Sequence, residues 1–80
     1  MSAKYEICFT GFAEEDRENM KRITREKGHI PRTKVTKKLT HLVTGKNAGV
    51  SKKAKAEKQG VKIIGVTKFY TLLGIGANDD

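Results

Sequence analysis

The chain has 80 residues, of which 36% are hydrophobic and 32% charged, and it carries a formal net charge of +8. That length allows a single domain over residues 1–80 and no large enclosed core, which argues against a deep active site. One cysteine, Cys8, excludes an internal disulfide framework; no apolar run approaches the ~20 residues of a membrane span, and the amino terminus lacks the basic-then-apolar layout of a signal peptide. The expectation is an intracellular domain without a membrane partner, cytoplasmic in a prokaryote or virus and nuclear in a eukaryote.

The first element in chain order is the apolar and aromatic run Tyr5 to Thr10, read as a strand covered on both faces, as in a parallel sheet. Gly11 marks its end. Glu14 to Lys27 has acids in its first turn, bases toward its end and Gly28 as a stop, which suits a helix dipole in both directions. Met20 and Ile23 are its expected buried stripe. In His29 to Val35 the proline Pro31 restricts any strand to a short edge piece. Leu39 to Thr44 is a stronger strand, and Gly45 to Gly49 a flexible basic loop. Ser51 is the expected N-cap of a helix that runs to Gln59 and stops at Gly60. Val61 to Ile64 is a last short strand, and Thr67 begins a helix on which Phe69, Tyr70 and Leu73 share a face. The order βαββαβα implies an α/β domain, with a small four-stranded parallel sheet flanked by three helices. Its core is expected over residues 5–73, with 74–80 a disordered polar tail.

Charge is distributed unevenly along this frame. From Lys27 to Lys62 the chain holds Lys27, Arg32, Lys34, Lys37, Lys38, Lys46, Lys52, Lys53, Lys55, Lys58 and Lys62, with Glu57 as the one acid. The remaining acids gather at Glu14, Glu15, Asp16 and Glu18, and at Asp79 and Asp80, apart from Glu6 and Glu26. A positive field of this kind attracts nucleic acid or another polyanion, although a solvated lysine-rich surface gives the same pattern.

Thr10-Gly11 ends one strand and Ser51-Lys52 opens a helix about forty residues later. A small hydroxyl, backbone amides at a glycine turn and a lysine at a helix start are the groups that hold a phosphate. In open parallel sheets ligands sit beyond the carboxyl ends of the strands, so the two segments are expected to converge on one anion. A lysine at a helix start opposes the dipole unless an anion compensates it.

Other chemistries fit less well. Gly45-Lys46 lacks the upstream glycine and following hydroxyl of a phosphate-binding loop, since position 40 is Thr40 and Asn47 follows the lysine. His29, His41 and Cys8 do not make a metal-ligand set, so no metal and no cofactor are expected. Cys8 lies between Ile7 and Phe9 and reads as core rather than nucleophile, and His41 as a strand residue with a satisfied ring. No catalytic constellation is present in the pattern.

Four segments in order resemble the BRCT domain family: Ile7-Cys8-Phe9-Thr10-Gly11; Val35-Thr36-Lys37-Lys38 with Thr40-His41-Leu42-Val43; Ser51-Lys52-Lys53-Ala54-Lys55-Ala56; and Gly60-Val61-Lys62-Ile63-Ile64. The resemblance runs from Tyr5 to Leu73 and is strongest to the subgroup at the end of NAD-dependent DNA ligases and in the large subunit of replication factor C. It implies a four-stranded parallel sheet with three helices and a module that binds phosphate on a phosphoserine peptide or a DNA 5′ end. By position, Thr10 would bond phosphate through its hydroxyl, Gly11 through its amide, and Lys52 would supply charge. Arg17 stands one residue from the place of a first-helix arginine of DNA-end-binding members, and Lys55 would support the site or touch a neighbouring phosphate. Gly28-His29 replaces the usual glycine pair, and Phe69 stands where many members have tryptophan.

The resulting expectation is a non-catalytic module that binds DNA at 5′-phosphorylated ends or nicks through Thr10, Gly11, Lys52 and Arg17, with Lys37, Lys38, Lys46, Lys53 and Lys55 on the flanking backbone. A phosphopeptide-binding or protein-interaction module and an accessory domain of a DNA ligase are the alternatives. The expected state is a monomer or weak homodimer.

Overall fold

The computed structural model describes residues 4–75. Strand β1, Glu6–Thr10, lies inside a four-stranded sheet of order β2-β1-β3-β4, with β2 at Ile30–Arg32, β3 at His41–Thr44 and β4 at Lys62–Ile64. All pairings are parallel; Cys8 stands beside Arg32 on one side and Leu42 on the other. Ile7, Cys8 and Phe9 are consecutively buried, because helices or loops cover both faces of a parallel sheet.

From β1 the chain builds outward to β2 on one side, and from β3 to β4 on the other. Crossovers of one hand running in opposite directions place their helices on opposite faces. Accordingly α1, Glu14–Glu26, and α3, Val66–Leu72, pack with Ile7, Phe9, Val43 and Ile64. Phe9 and Phe69 meet edge to face at 5.2 Å there. Helix α2, Val50–Lys58, contributes Ala56 to the other layer, with Cys8, Val35, Leu39, Leu42 and Val61. Val35 and Leu39 come from the β2–β3 connection, which fills the space that a second helix would otherwise cover.

Several boundaries differ from the sequence reading. Helix α1 buries Met20 and Thr24, while Ile23 is half-buried. Thr24 tolerates this because its hydroxyl donates to the Met20 carbonyl at 2.8 Å. The α1 stop at Gly28 is as expected, with Gly28 N–H bonding the Arg25 carbonyl and His29 N–H that of Thr24. Helix α2 begins at Val50 with Gly49 as its cap, so Ser51 is not the N-cap and lies inside the first turn. The preceding turn, in which Ala48 N–H bonds the Gly45 carbonyl, starts the helix early. Leu39 is buried ahead of β3 rather than within it, and α3 starts at Val66. In the expected tail, Gly74 N–H bonds the Thr71 carbonyl and Ile75 packs on the α1–α3 core; 76–80 lie outside the described residues.

Candidate phosphate site at the carboxyl end of the sheet

The chain order reverses between β1 and β3, and the loops leaving their carboxyl ends touch. Gly45 N–H bonds the Thr10 carbonyl at 2.8 Å and Asn47 N–H bonds that of Gly11 at 3.3 Å. Gly11 has φ +86°, and a Cβ built on it would stand 2.3 Å from the Ala48 nitrogen. On Gly45 a Cβ would meet the Gly11 carbonyl oxygen at 2.5 Å. The contact of the two loops therefore requires both glycines, and it fixes where α2 starts relative to Thr10.

Lys52 is the third residue of α2 and Arg17 the fourth of α1, so each sits in a first turn facing the carboxyl end of the sheet. Both side chains line one cavity of about 180 Å³, together with Phe9, Lys21, Arg32 and Thr33. Thr10 and Gly11 follow Phe9 directly but are not among the lining residues. Thr10 is half-buried, and its hydroxyl makes no hydrogen bond among the described residues. Lys52 Nζ donates to the Thr33 carbonyl at 3.3 Å, while the Nε of Arg17 is buried without a partner. Neither cation has a carboxylate partner among the described residues.

Cys8 lies beneath this group. Burial pushes its thiol up, against the opposing pull of Lys52, the Phe9 amide, Lys21 and Arg17. It stays protonated and serves as core. His41 is buried in β3, and its Nδ1 lies 2.9 Å from the Thr40 hydroxyl. No group of three or more potential metal ligands occurs among the described residues, and no described helix is long and apolar enough to cross a membrane.

The remaining predicted contacts are spread over the molecule. Lys46 occupies the turn after β3 and Lys53 the exposed side of the first turn of α2, both at the carboxyl end. Lys55 lines a shallow depression along α2 with Ser51, Lys52, Ala54 and Lys58. Lys37 and Lys38 form a turn leading into Thr40, whose N–H bonds the Glu6 carbonyl at the start of β1. They stand at the amino end of the sheet, away from the cavity, because the β2–β3 connection must return there before a parallel strand can begin.

Sequence reasoning missed Lys21, Arg32 and Thr33. Lys21 was within reach of it, being four residues after Arg17 on the same helix face. Arg32 and Thr33 join the site only because β2 lies next to β1, a neighbour relation that periodicity does not encode.

Residues 5–67 match the twin BRCT domain family. The chain is 38% identical over 67 residues to a DNA ligase of Lawsonia intracellularis, covering 84% of this chain and 10% of the ligase. It is 39% identical over 74 residues to a DNA ligase of Chloroherpeton thalassium, covering 91% and 11%. It thus spans about a tenth of the length of the curated relatives it matches. Among solved structures, BRCT domains 1 and 2 of Rad4 in complex with a Crb2 phosphopeptide superpose with a TM-score of 0.79 at 21% identity, covering 89% of this chain and 38% of the other. The same domains in complex with a Mdb1 phosphopeptide give 0.80, with the same identity and coverage. In sequence pattern, strand order and helix placement alike, the chain belongs to the BRCT domain family.

Proposed function

We propose that this domain is a non-catalytic phosphate-recognising module that binds DNA at 5′-phosphorylated ends or nicks. The observation that carries the reading is the pairing of Arg17 and Lys52 in one cavity from two different helices, neither neutralised by a carboxylate among the described residues. Two cations without anionic partners repel each other, and a phosphomonoester dianion relieves that repulsion while satisfying the buried Arg17 Nε. Thr10 and Gly11 border the same end of β1 and supply a hydroxyl and an amide. The basic stretch from Lys27 to Lys62 favours a polyanion, and the similarity to DNA ligases makes a strand end the polyanion of choice. In such an enzyme the domain would hold the substrate while catalysis takes place elsewhere.

A phosphoserine peptide is the second reading, because the Rad4 domains it resembles are in complex with phosphopeptides. The test is affinity for a short duplex with a 5′ phosphate against the same duplex with a 5′ hydroxyl, at two salt concentrations. Tighter binding of the phosphorylated duplex, lost in Thr10→Ala and Lys52→Ala, is expected. Equal, salt-sensitive binding would reduce the site to a basic surface, and capture of a phosphoserine peptide alone would favour the second reading.

A further inference from the structure

The cavity holds a second set of cations whose electrostatic state differs from the first. Lys21 Nζ lies 3.2 Å from the Glu18 carboxylate, and Arg32 Nε lies 2.9 Å from Oε1 of Glu6. Arg17 and Lys52 have no such partner among the described residues. Two of the four cations lining the cavity are therefore uncompensated, whereas the other two are already shared with carboxylates. The cavity volume of about 180 Å³ is many times the ~10–15 Å³ that holds a single water, so it has room for more than one small polar group.

We infer that Arg32 and Lys21 form a second phosphoryl subsite, which holds the phosphodiester that follows a 5′-terminal phosphate bound at Arg17 and Lys52. The inference rests on the reading of the cavity as a site for a 5′-phosphorylated strand. A terminal phosphate carries up to two negative charges at neutral pH and an internal phosphodiester one. The uncompensated pair suits the first, and the carboxylate-shared pair suits the second. Glu6 engages only the Nε of Arg32, which fixes the guanidinium plane while its terminal amino groups remain available as a planar donor pair for phosphate oxygens. The position also agrees with a continuing strand. β2 is the sheet edge, so a ligand leaving the cavity over Arg32 and Thr33 meets no further strand. A phosphoserine peptide offers one phosphoryl group and leaves this subsite unused.

The test is an NMR titration with thymidine 5′-monophosphate, the 5′-phosphorylated thymidine dinucleotide, and that dinucleotide with a neutral methylphosphonate linkage. The phosphorylated dinucleotide should bind about tenfold more tightly than the mononucleotide, the scale of a charge-assisted hydrogen bond. The methylphosphonate analogue should fall back to the mononucleotide level. Arg32→Ala should remove the tenfold gain of the dinucleotide over the mononucleotide, and an amide proton spectrum with wild-type dispersion reports that the variant is folded. Equal affinity of all three ligands for the wild-type protein, or an Arg32→Ala loss that is the same for mononucleotide and dinucleotide, would overturn the second subsite. Lys52→Ala separates the two readings: a loss for every ligand supports the terminal-phosphate site whatever Arg32 does, and no loss for any ligand overturns both.

Discussion

Lys52 Nζ reaches across the cavity to the carbonyl oxygen of Thr33, 3.3 Å away, so the first turn of α2 is tied to the segment that follows the edge strand. A neutral carbonyl is a weaker partner for an ammonium than a phosphate dianion. The proposed phosphate would therefore replace this hydrogen bond with a stronger one.

Replacing Lys52 isolates that exchange. Lys52→Ala is expected to weaken binding of a 5′-phosphorylated duplex by about 1 to 3 kcal/mol, the range of a charge-assisted hydrogen bond. The free protein should keep its melting temperature, because the lost Thr33 contact is exposed and the lysine opposes the α2 dipole. Fluorescence anisotropy with phosphorylated and hydroxyl-ended duplexes measures the first effect, calorimetry the second. Wild-type affinity in the variant would remove Lys52 from the site.

Gly11 and Gly28 share a positive φ, of 86° and 84°, but differ in what surrounds them. A Cβ on Gly28 meets nothing within 4 Å, whereas on Gly11 it collides with the Ala48 backbone. Gly28→Ala should cost about 1 to 2 kcal/mol, the left-handed penalty alone. Gly11→Ala should cost clearly more and also weaken phosphate binding, since the β3–α2 loop and with it Lys52 must shift. Urea denaturation of the two variants compares them directly, and equal losses would mean that the contact between the loops yields freely.

Lys53 lies exposed in a first turn of α2 that contains no acid. Lys53→Glu should stabilise the free domain by about 0.3 to 1 kcal/mol through the dipole. The same change, combined with Lys46→Glu, should lower duplex affinity and reduce the slope of log K against log salt by about 1 per lost phosphate contact. Lys37→Glu with Lys38→Glu should reduce the slope less and leave the preference for a 5′ phosphate intact, because these residues occupy the amino end of the sheet. A larger effect from the second pair would relocate the DNA surface to that end.

What could be read from sequence followed from local signals. The strand of Ile7, Cys8 and Phe9, the acidic start of α1, its stop at Gly28 and the proline-limited edge strand each rest on chemistry within a few residues of themselves. Ser51 looked like a cap because serine is good at one, but the contact between Gly11 and Ala48 moves the helix start to Val50. Thr24 was not among the expected buried residues of α1, and a bond to its own helix makes it fit. Likewise Arg17 and Lys52 were visible as candidates, whereas Arg32 joins their cavity through strand order, and Lys37 and Lys38, adjacent in sequence to a site segment, fall at the opposite end.

His41 should make stability depend on mild acid. Its ring is buried in β3, and its charged form is disfavoured first by that burial, then by Lys62 and His29, so it titrates below its ordinary value of 6.5. The Thr40 hydroxyl gives its proton to the Glu6 carbonyl at 3.0 Å and accepts the Glu6 amide at 2.9 Å, which leaves His41 Nδ1 as the donor in their contact. Tyr5 meets His41 edge-on at 4.9 Å, and its own N–H donates to His29 Nδ1. Because the unfolded chain binds the proton more readily, the stabilisation is complete above about pH 6.5 and declines as pH falls from there toward the lower folded value. Urea midpoints at pH 7.5, 6.5 and 5.5 should fall in that order for the wild-type protein and change less for His41→Asn, since its amide nitrogen falls where Nδ1 stood, keeps a donor for Thr40 and cannot titrate. Parallel slopes for the two proteins would show that the ring carries none of the dependence.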